Sequence, residues 1–229
     1  AAGLHQAGQL DGALAAGVGV VALAAVVVAG PRLLPAGALW ARRGLPAVIA
    51  LRGLCAAAFF GAEAFLPLLL AQQRGLSPTL AGLVLTGAAL TWTSGSWLQG
   101  RDRAPSRTTM LRVGTAAIAV GVLLTGSALV PAVPLAAAVA GWLVAGAGMG
   151  MVFPTLSVLT LELSAPTEQG ANSAALQIAD ALFCAMVLAV SGAVFAALIA
   201  SGPIAFAATT AIAAAVAVLG VLAAGRARA

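Results

Sequence analysis

The chain has 229 residues, of which 62% are hydrophobic and only 7% charged. A soluble domain carries about 25% charged residues, so these few charges exclude a water-exposed globular surface and point to a membrane protein. Net charge is +5, from eleven Arg and no Lys. Basic chains often bind nucleic acid, but here the Arg residues cluster in breaks between apolar runs, as they do in the cytoplasmic loops of membrane proteins.

The hydrocarbon core holds no water, so a spanning backbone must satisfy its own hydrogen bonds as helices or as a closed barrel. A barrel would alternate polar and apolar residues over segments of about ten. The runs here are longer and continuous, so the expected class is all-α, with about seven transmembrane helices. The opening stretch, Ala1 to Gly12, has no basic leader and reads as a loop cut from a longer chain.

In chain order the spans are predicted over 12–30, 46–71, 79–99, 110–130, 135–161, 173–200 and 204–224. Each can cross about 30 Å of hydrocarbon at about 1.5 Å per residue. Pro, Gly and Arg mark the breaks between them. Arg32, Arg42 and Arg43 follow the first span. Arg101, Arg103, Arg107 and Arg112 lie around the break after the third, and Arg226 and Arg228 are in the tail at 225–229. Arg74 lies on the opposite side. The positive-inside rule then puts the N-terminus outside and the C-terminus in the cytoplasm of a multi-pass protein of the cell membrane. Trp40 and Trp97 fall near interfaces and read as anchors.

Glu63 is the most informative residue. It sits in mid-span within Phe59-Phe60-Gly61-Ala62-Glu63-Ala64-Phe65-Leu66-Pro67. An intramembrane carboxylate is costly and tends to face a cavity or a partner. Two readings stay open: a group that binds and releases protons or substrate, and a structural carboxylate held by a hydrogen bond or a cation. Arg52 lies eleven residues earlier, about 16 Å along a helix, too far for a direct ion pair with Glu63. Near the predicted cytoplasmic end, it can snorkel to the interface or help close a gate.

Asp180 is the second buried acid. With Ser173, Gln177, Cys184 and Ser191 it forms a stripe about 60° wide on a helix. The stripe suits either a water-filled path or hydrogen bonds between helices, and the position of Asp180 favours a gate. On the third span, Thr86, Thr93 and Trp97 share a face and are candidates for a pocket. On the fifth, Gly146, Gly148 and Gly150 allow close helix contact, and Pro154 allows a kink. Pro67 is a second candidate hinge. Cys55 and Cys184 lie within apolar runs and read as buried thiols. The lone His5 has no clustered partners, so neither a metal nor a cofactor is expected. No nucleophile–base pair suggests an enzyme.

Several segments resemble the major facilitator superfamily. Gly95-Ser96-Trp97-Leu98-Gln99-Gly100-Arg101-Asp102-Arg103 is similar to the basic loop motif that joins the second and third helices of each half, with Arg107 closing it here. Pro105 and Ser106 depart from that motif, where a Gly and basic residues are common. Phe59 to Pro67, with Arg74-Gly75-Leu76-Ser77-Pro78, resembles the start of a C-terminal half. Gly146 to Pro154, followed by Glu168-Gln169-Gly170-Ala171-Asn172-Ser173, resembles its tenth and eleventh helices. Within the superfamily the likeness is to drug:proton antiporters of actinobacterial type.

The resemblance implies that residues 1–45 hold the sixth helix and the central cytoplasmic loop. Residues 46–224 would be a six-helix half built from units 46–130 and 135–224 of opposite topology. It further implies a proton-coupled exporter of small molecules that works with a missing N-terminal half, its partners being lipid, substrate and protons. Two alternatives differ in class. One is a complete seven-helix receptor; its retinal-binding version is excluded because no lysine is present for a Schiff base. The other is a non-transporting scaffold, against which the buried acids argue.

Overall fold

The computed structural model describes residues 34–101 and 105–227. The first predicted span, 12–30, lies outside them. The helices are α1 (Leu45–Glu63), α2 (Leu66–Arg74), α3 (Pro78–Trp97), α4 (Arg107–Thr125), α5 (Leu135–Glu162), α6 (Gln169–Leu198) and α7 (Pro203–Ala224). Short 3-10 turns extend α3, α4 and α6, and no strand occurs among the described residues.

Local chemistry starts and stops these helices where the sequence signals it. Ser77 and Ser106 cap α3 and α4, their hydroxyls accepting from the N–H of Leu80 and Thr109, which satisfies donors that the first turn leaves unpaired. Pro46, Pro67, Pro78 and Pro203 stand in first turns, where a missing N–H costs nothing. Gly75 ends α2 at φ +66°, a left-handed cap that residues with a side chain rarely adopt.

Five helical stretches are long and apolar enough to cross a membrane: Leu45–Arg74, Arg107–Leu129, Leu135–Glu162, Gln169–Ser201 and Pro203–Ala224. The predicted span at 79–99 is a helix of adequate length, but Thr86, Thr91, Thr93, Ser94 and Ser96 lower its hydropathy and it is not among the five. Many large apolar side chains lie on the outside, Leu83, Leu90 and Leu222 among them. Such a surface is stable against lipid and unstable against water.

The helices alternate in direction, so the connections gather at two ends. At one, the Gly44 N–H donates to the Arg226 carbonyl at 3.2 Å, and Arg107 pairs with Glu162. At the other, Arg74 gathers the backbone carbonyls of the 126–133 connection. Its Nε donates to Ala128 O at 2.7 Å and its Nη2 to Val130 O and Val133 O at 2.6 and 2.9 Å. Arg42, Arg43, Arg101, Arg107, Arg112 and Arg226 therefore share one end, and Arg74 takes the opposite one.

The helix α5 is the centre of the bundle, packing on α3, α4 and α1, while α1 packs on α6 and α7. Glycines set how closely α5 approaches its neighbours. A Cβ on Gly150 would strike the Trp92 carbonyl of α3, and one on Gly146 would strike Ala88 O. Toward α4, a Cβ on Gly148 would come within 2.6 Å of Gly114 O, and one on Gly141 within 2.8 Å of Gly121 O. The backbones touch where side chains would otherwise hold them apart, a common way for membrane helices to gain dispersion energy. Gly146, Gly148 and Gly150 each leave no room for a Cβ against the neighbouring helix.

The two interior prolines behave differently. The ring of Pro67 removes the donor for the Glu63 carbonyl, and the long span breaks there at Ala64–Phe65. The α5 helix runs through Pro154 without a break. Pro154 leaves the Gly150 carbonyl without its helical donor, and the Ser96 hydroxyl of α3 donates to it at 3.3 Å. Gln99 Nε2 donates to the next carbonyl, Met151 O, at 2.7 Å.

Gly150→Ala is expected to force α3 and α5 apart and cost about 1–3 kcal/mol by overpacking. Thermal unfolding of the purified protein in detergent would show this as a lower midpoint. Gly192→Ala on α6, where a Cβ meets open space, is the control and should leave the midpoint unchanged. Equal midpoints for the two variants would refute the close-contact account.

Candidate functional site

Two opposite charges meet inside the bundle. Arg52 lies seven residues into α1 and Asp180 eleven residues into α6, at similar depth from the same end. Arg52 Nε donates to both carboxylate oxygens of Asp180, at 2.9 and 2.8 Å. Its Nη1 donates to Phe153 O at 3.2 Å and lies 3.4 Å from the Ser157 hydroxyl. The guanidinium carbon sits 3.6 Å over the Phe153 ring, a cation–π contact that favours Arg over Lys. One side chain thereby ties α1, α5 and α6 together. Side-chain exposure is only 9% for Arg52 and 19% for Asp180.

Arg52 therefore turns inward onto Asp180 and does not snorkel to the interface. The pairing was not read from the sequence, although a signal existed: two opposite intramembrane charges at matching depth. Asp180 is the member of the α6 stripe that finds a partner helix. Gln177 is exposed, Cys184 half-buried, and the Ser191 hydroxyl buried with no hydrogen-bond partner.

Glu63 is half-buried at the last turn of α1, beside the Pro67 break. Among the described residues it makes no ion pair and no hydrogen bond. Among the described residues, no helix provides the cation or donor that a structural role would require.

Between these charges lies an aromatic cluster. Phe59 stacks on the fully buried Trp142 at 4.5 Å and 17°. Half-buried rings from three helices then follow one another: Phe60 of α1 lies 6.3 Å from Trp92 of α3, and Trp92 lies 5.2 Å from Phe153 of α5. In the sequence these rings lie far apart; only their convergence from three helices makes them a group.

The hydroxyl face of α3 is divided differently from the expectation. Thr86 and Thr93 are exposed and spend their hydroxyls on their own helix, at Gly82 O and Ala89 O. Thr91 reaches across to Leu143 O at 2.7 Å. Trp97 does line a groove of about 340 Å³, with Thr91, Ser94, Arg101 and Met151, and Arg101 stacks on its ring at 4.0 Å. Of the loop motif, Gly100 ends the turn after α3 and Arg107 holds Glu162. Asp102 and Arg103 lie outside the described residues.

Residues 6–187 match the family model of the Major Facilitator Superfamily, from before the first described residue into α6. The chain belongs to that superfamily. It is thus a multi-pass membrane transporter acting on a small molecule. No curated protein matches the chain.

Removing either charge of the Arg52–Asp180 pair strands the other in an apolar bundle, at a cost of about 3–5 kcal/mol. Arg52→Met and Asp180→Leu are each expected to lower the unfolding midpoint strongly, and the double variant to recover most of the loss. A double-mutant cycle on thermal unfolding reads the coupling. Additive losses would show that the pair does not hold the helices together.

Proposed function

We propose that this superfamily member is a proton-coupled secondary transporter that exports small apolar or cationic molecules by alternating access, with Glu63 as the group that takes up and releases the proton. The observation that carries this reading is the isolation of Glu63. A carboxylate in the hydrocarbon with no cation beside it among the described residues is held at a cost of a few kcal/mol, and a group that cycles between proton and cationic substrate accounts for that cost. Its place at the Pro67 break supports the reading, because a broken helix leaves unpaired backbone groups and gives a segment freedom to move.

The remaining expectations fit the same proposal. Residues 46–130 and 135–224 act as two inverted three-helix units. The way α1 packs on α6 and α7 parallels the way α5 packs on α3 and α4, as exchange of the units would require. The Arg-rich end is cytoplasmic by the positive-inside rule, in a cell membrane. The half-buried aromatic face supports a second set of helices from the same protein as the opposite wall of the cavity. Membership of a transporter superfamily favours this reading over the receptor and scaffold alternatives.

The test is flux of ethidium into or out of proteoliposomes holding the full-length protein, driven by an imposed proton gradient. Glu63→Gln is expected to abolish gradient-driven flux while keeping the wild-type unfolding midpoint. Wild-type flux in that variant would rule out the assigned role.

A further inference from the structure

At the Arg-rich end, the turn before α1 and the tail after α7 are fastened together. The Gly44 N–H donates to Arg226 O at 3.2 Å, and Arg226 Nη1 lies 3.5 Å from Trp40 O. The turn itself is tightly wound. Gly37, Ala41 and Gly44 all have positive φ. Ala41, at φ +44° and ψ +49°, takes a left-handed conformation that residues with a side chain rarely adopt. The Arg42 stem lies against Gly37, where a Cβ would come within 2.6 Å of Arg42 Cδ. One side of the turn is sealed, with Leu34, Ala38, Ala41 and Ala227 buried. The other side faces out. Leu39 and Trp40 are 52% and 79% exposed, and Arg42, Arg43 and Arg226 are exposed with them. The sequence places no Asp or Glu between residues 12 and 62 or after Asp180. Of the acids described at this end, Glu162 pairs with Arg107 and Glu168 stands at the start of α6.

We infer that this patch binds the headgroup of an anionic phospholipid, with Leu39 and Trp40 in the interfacial layer and Arg42, Arg43 and Arg226 on the phosphate. Depth carries the assignment. Arg42 and Arg43 stand just before Leu45, the first residue of a helical stretch long and apolar enough to cross a membrane, and Arg226 stands two residues after the end of another. The three charges therefore lie at the level where a bilayer places its headgroups, and an indole favours that same level. The planar fork of a guanidinium matches phosphate oxygens. A nucleic acid or an acidic soluble protein would meet the charges but set Leu39 and Trp40 in a polar contact. A zwitterionic lipid would accept the apolar side chains but bring its own cation against three guanidinium groups. An anionic lipid answers both demands. The positive-inside rule asks only for charge at this end, in any arrangement. Here the clasp to Arg226 and the wound turn fix the arrangement before lipid arrives, which lowers the ordering cost of binding.

The experiment is quenching of Trp40 fluorescence in the full-length protein, reconstituted in phosphatidylcholine vesicles. The difference between wild type and Trp40→Phe isolates the Trp40 signal. Brominated phosphatidylglycerol and brominated phosphatidylcholine, each added at the same minor fraction, are the probes. The anionic probe should quench at least threefold more than the zwitterionic one. Each Arg near an anionic surface adds about fivefold in partition, so Arg42→Gln, Arg43→Gln and Arg226→Gln together should erase that preference while leaving quenching by the zwitterionic probe unchanged. Gly37→Val keeps every charge but displaces Arg42 and strains the turn; it should at least halve the preference. Equal quenching by the two probes, quenching by neither, displacement of the anionic probe by excess inorganic phosphate, or an unchanged preference in the triple Gln variant or in Gly37→Val would overturn the inference. No substrate or proton gradient enters this assay, so a failure of the Glu63 reading would appear in the flux measurement and leave these results intact.

Discussion

A guanidinium inside an apolar bundle cannot be satisfied by water, so its partners must come from the protein and must stay in place. Arg52 finds a carboxylate on α6, a carbonyl and a ring on α5, and a hydroxyl one turn further along α5. Moving any of the three helices by a few ångströms would break a charge-assisted bond in a medium that offers no substitute. The relative positions of α1, α5 and α6 follow from this one requirement. The aromatic strip beside it inherits its geometry, since Phe153 is both the ring under Arg52 and the neighbour of Trp92.

The other half of the bundle is held by the opposite chemistry. Where α5 meets α3 and α4 glycine lets backbones touch, and the Arg107–Glu162 ion pair lies only at the end of the contact. Dispersion over a long, close contact replaces the hydrophobic effect, which drives little between helices already surrounded by lipid. The hydroxyls and amide of α3 then finish what the glycines begin. Thr91, Ser96 and Gln99 donate to carbonyls of α5, two of them near the ring of Pro154. The proline is tolerated because a neighbouring helix supplies donors. At Pro67 no such cover is seen among the described residues, and the span breaks beside Glu63.

These two arrangements give the molecule a stiff side and a yielding one. The α3–α4–α5 contact resists change because its backbones have no slack. The junction of α1 and α2 has slack, because its helix is already interrupted. On the proposed alternating-access cycle, the close contact would carry the movement and the break would absorb it.

The helices themselves were legible before any coordinates. Six predicted spans, from 46–71 to 204–224, match described helices to within a few residues, because a bilayer demands long apolar runs and Pro, Gly and Ser punctuate them visibly. The resemblance to the superfamily was legible too, in the Gly100–Arg101 loop and the glycine-rich run before Pro154. Individual side-chain fates were not. Arg52 near a helix end satisfies a snorkelling reading as well as a buried one, and only α6 packing beside it decides the matter. Thr86 and Thr93 share a face on paper, yet the neighbour that would make that face a lining is α5, which meets Thr91 and Ser96 instead. Phe60, Trp92 and Phe153 are far apart in the chain, and each alone reads as core. Periodicity and composition act within one helix and so determine which segments cross the membrane; which residues on different helices become partners depends on long-range packing, which only the tertiary structure decides.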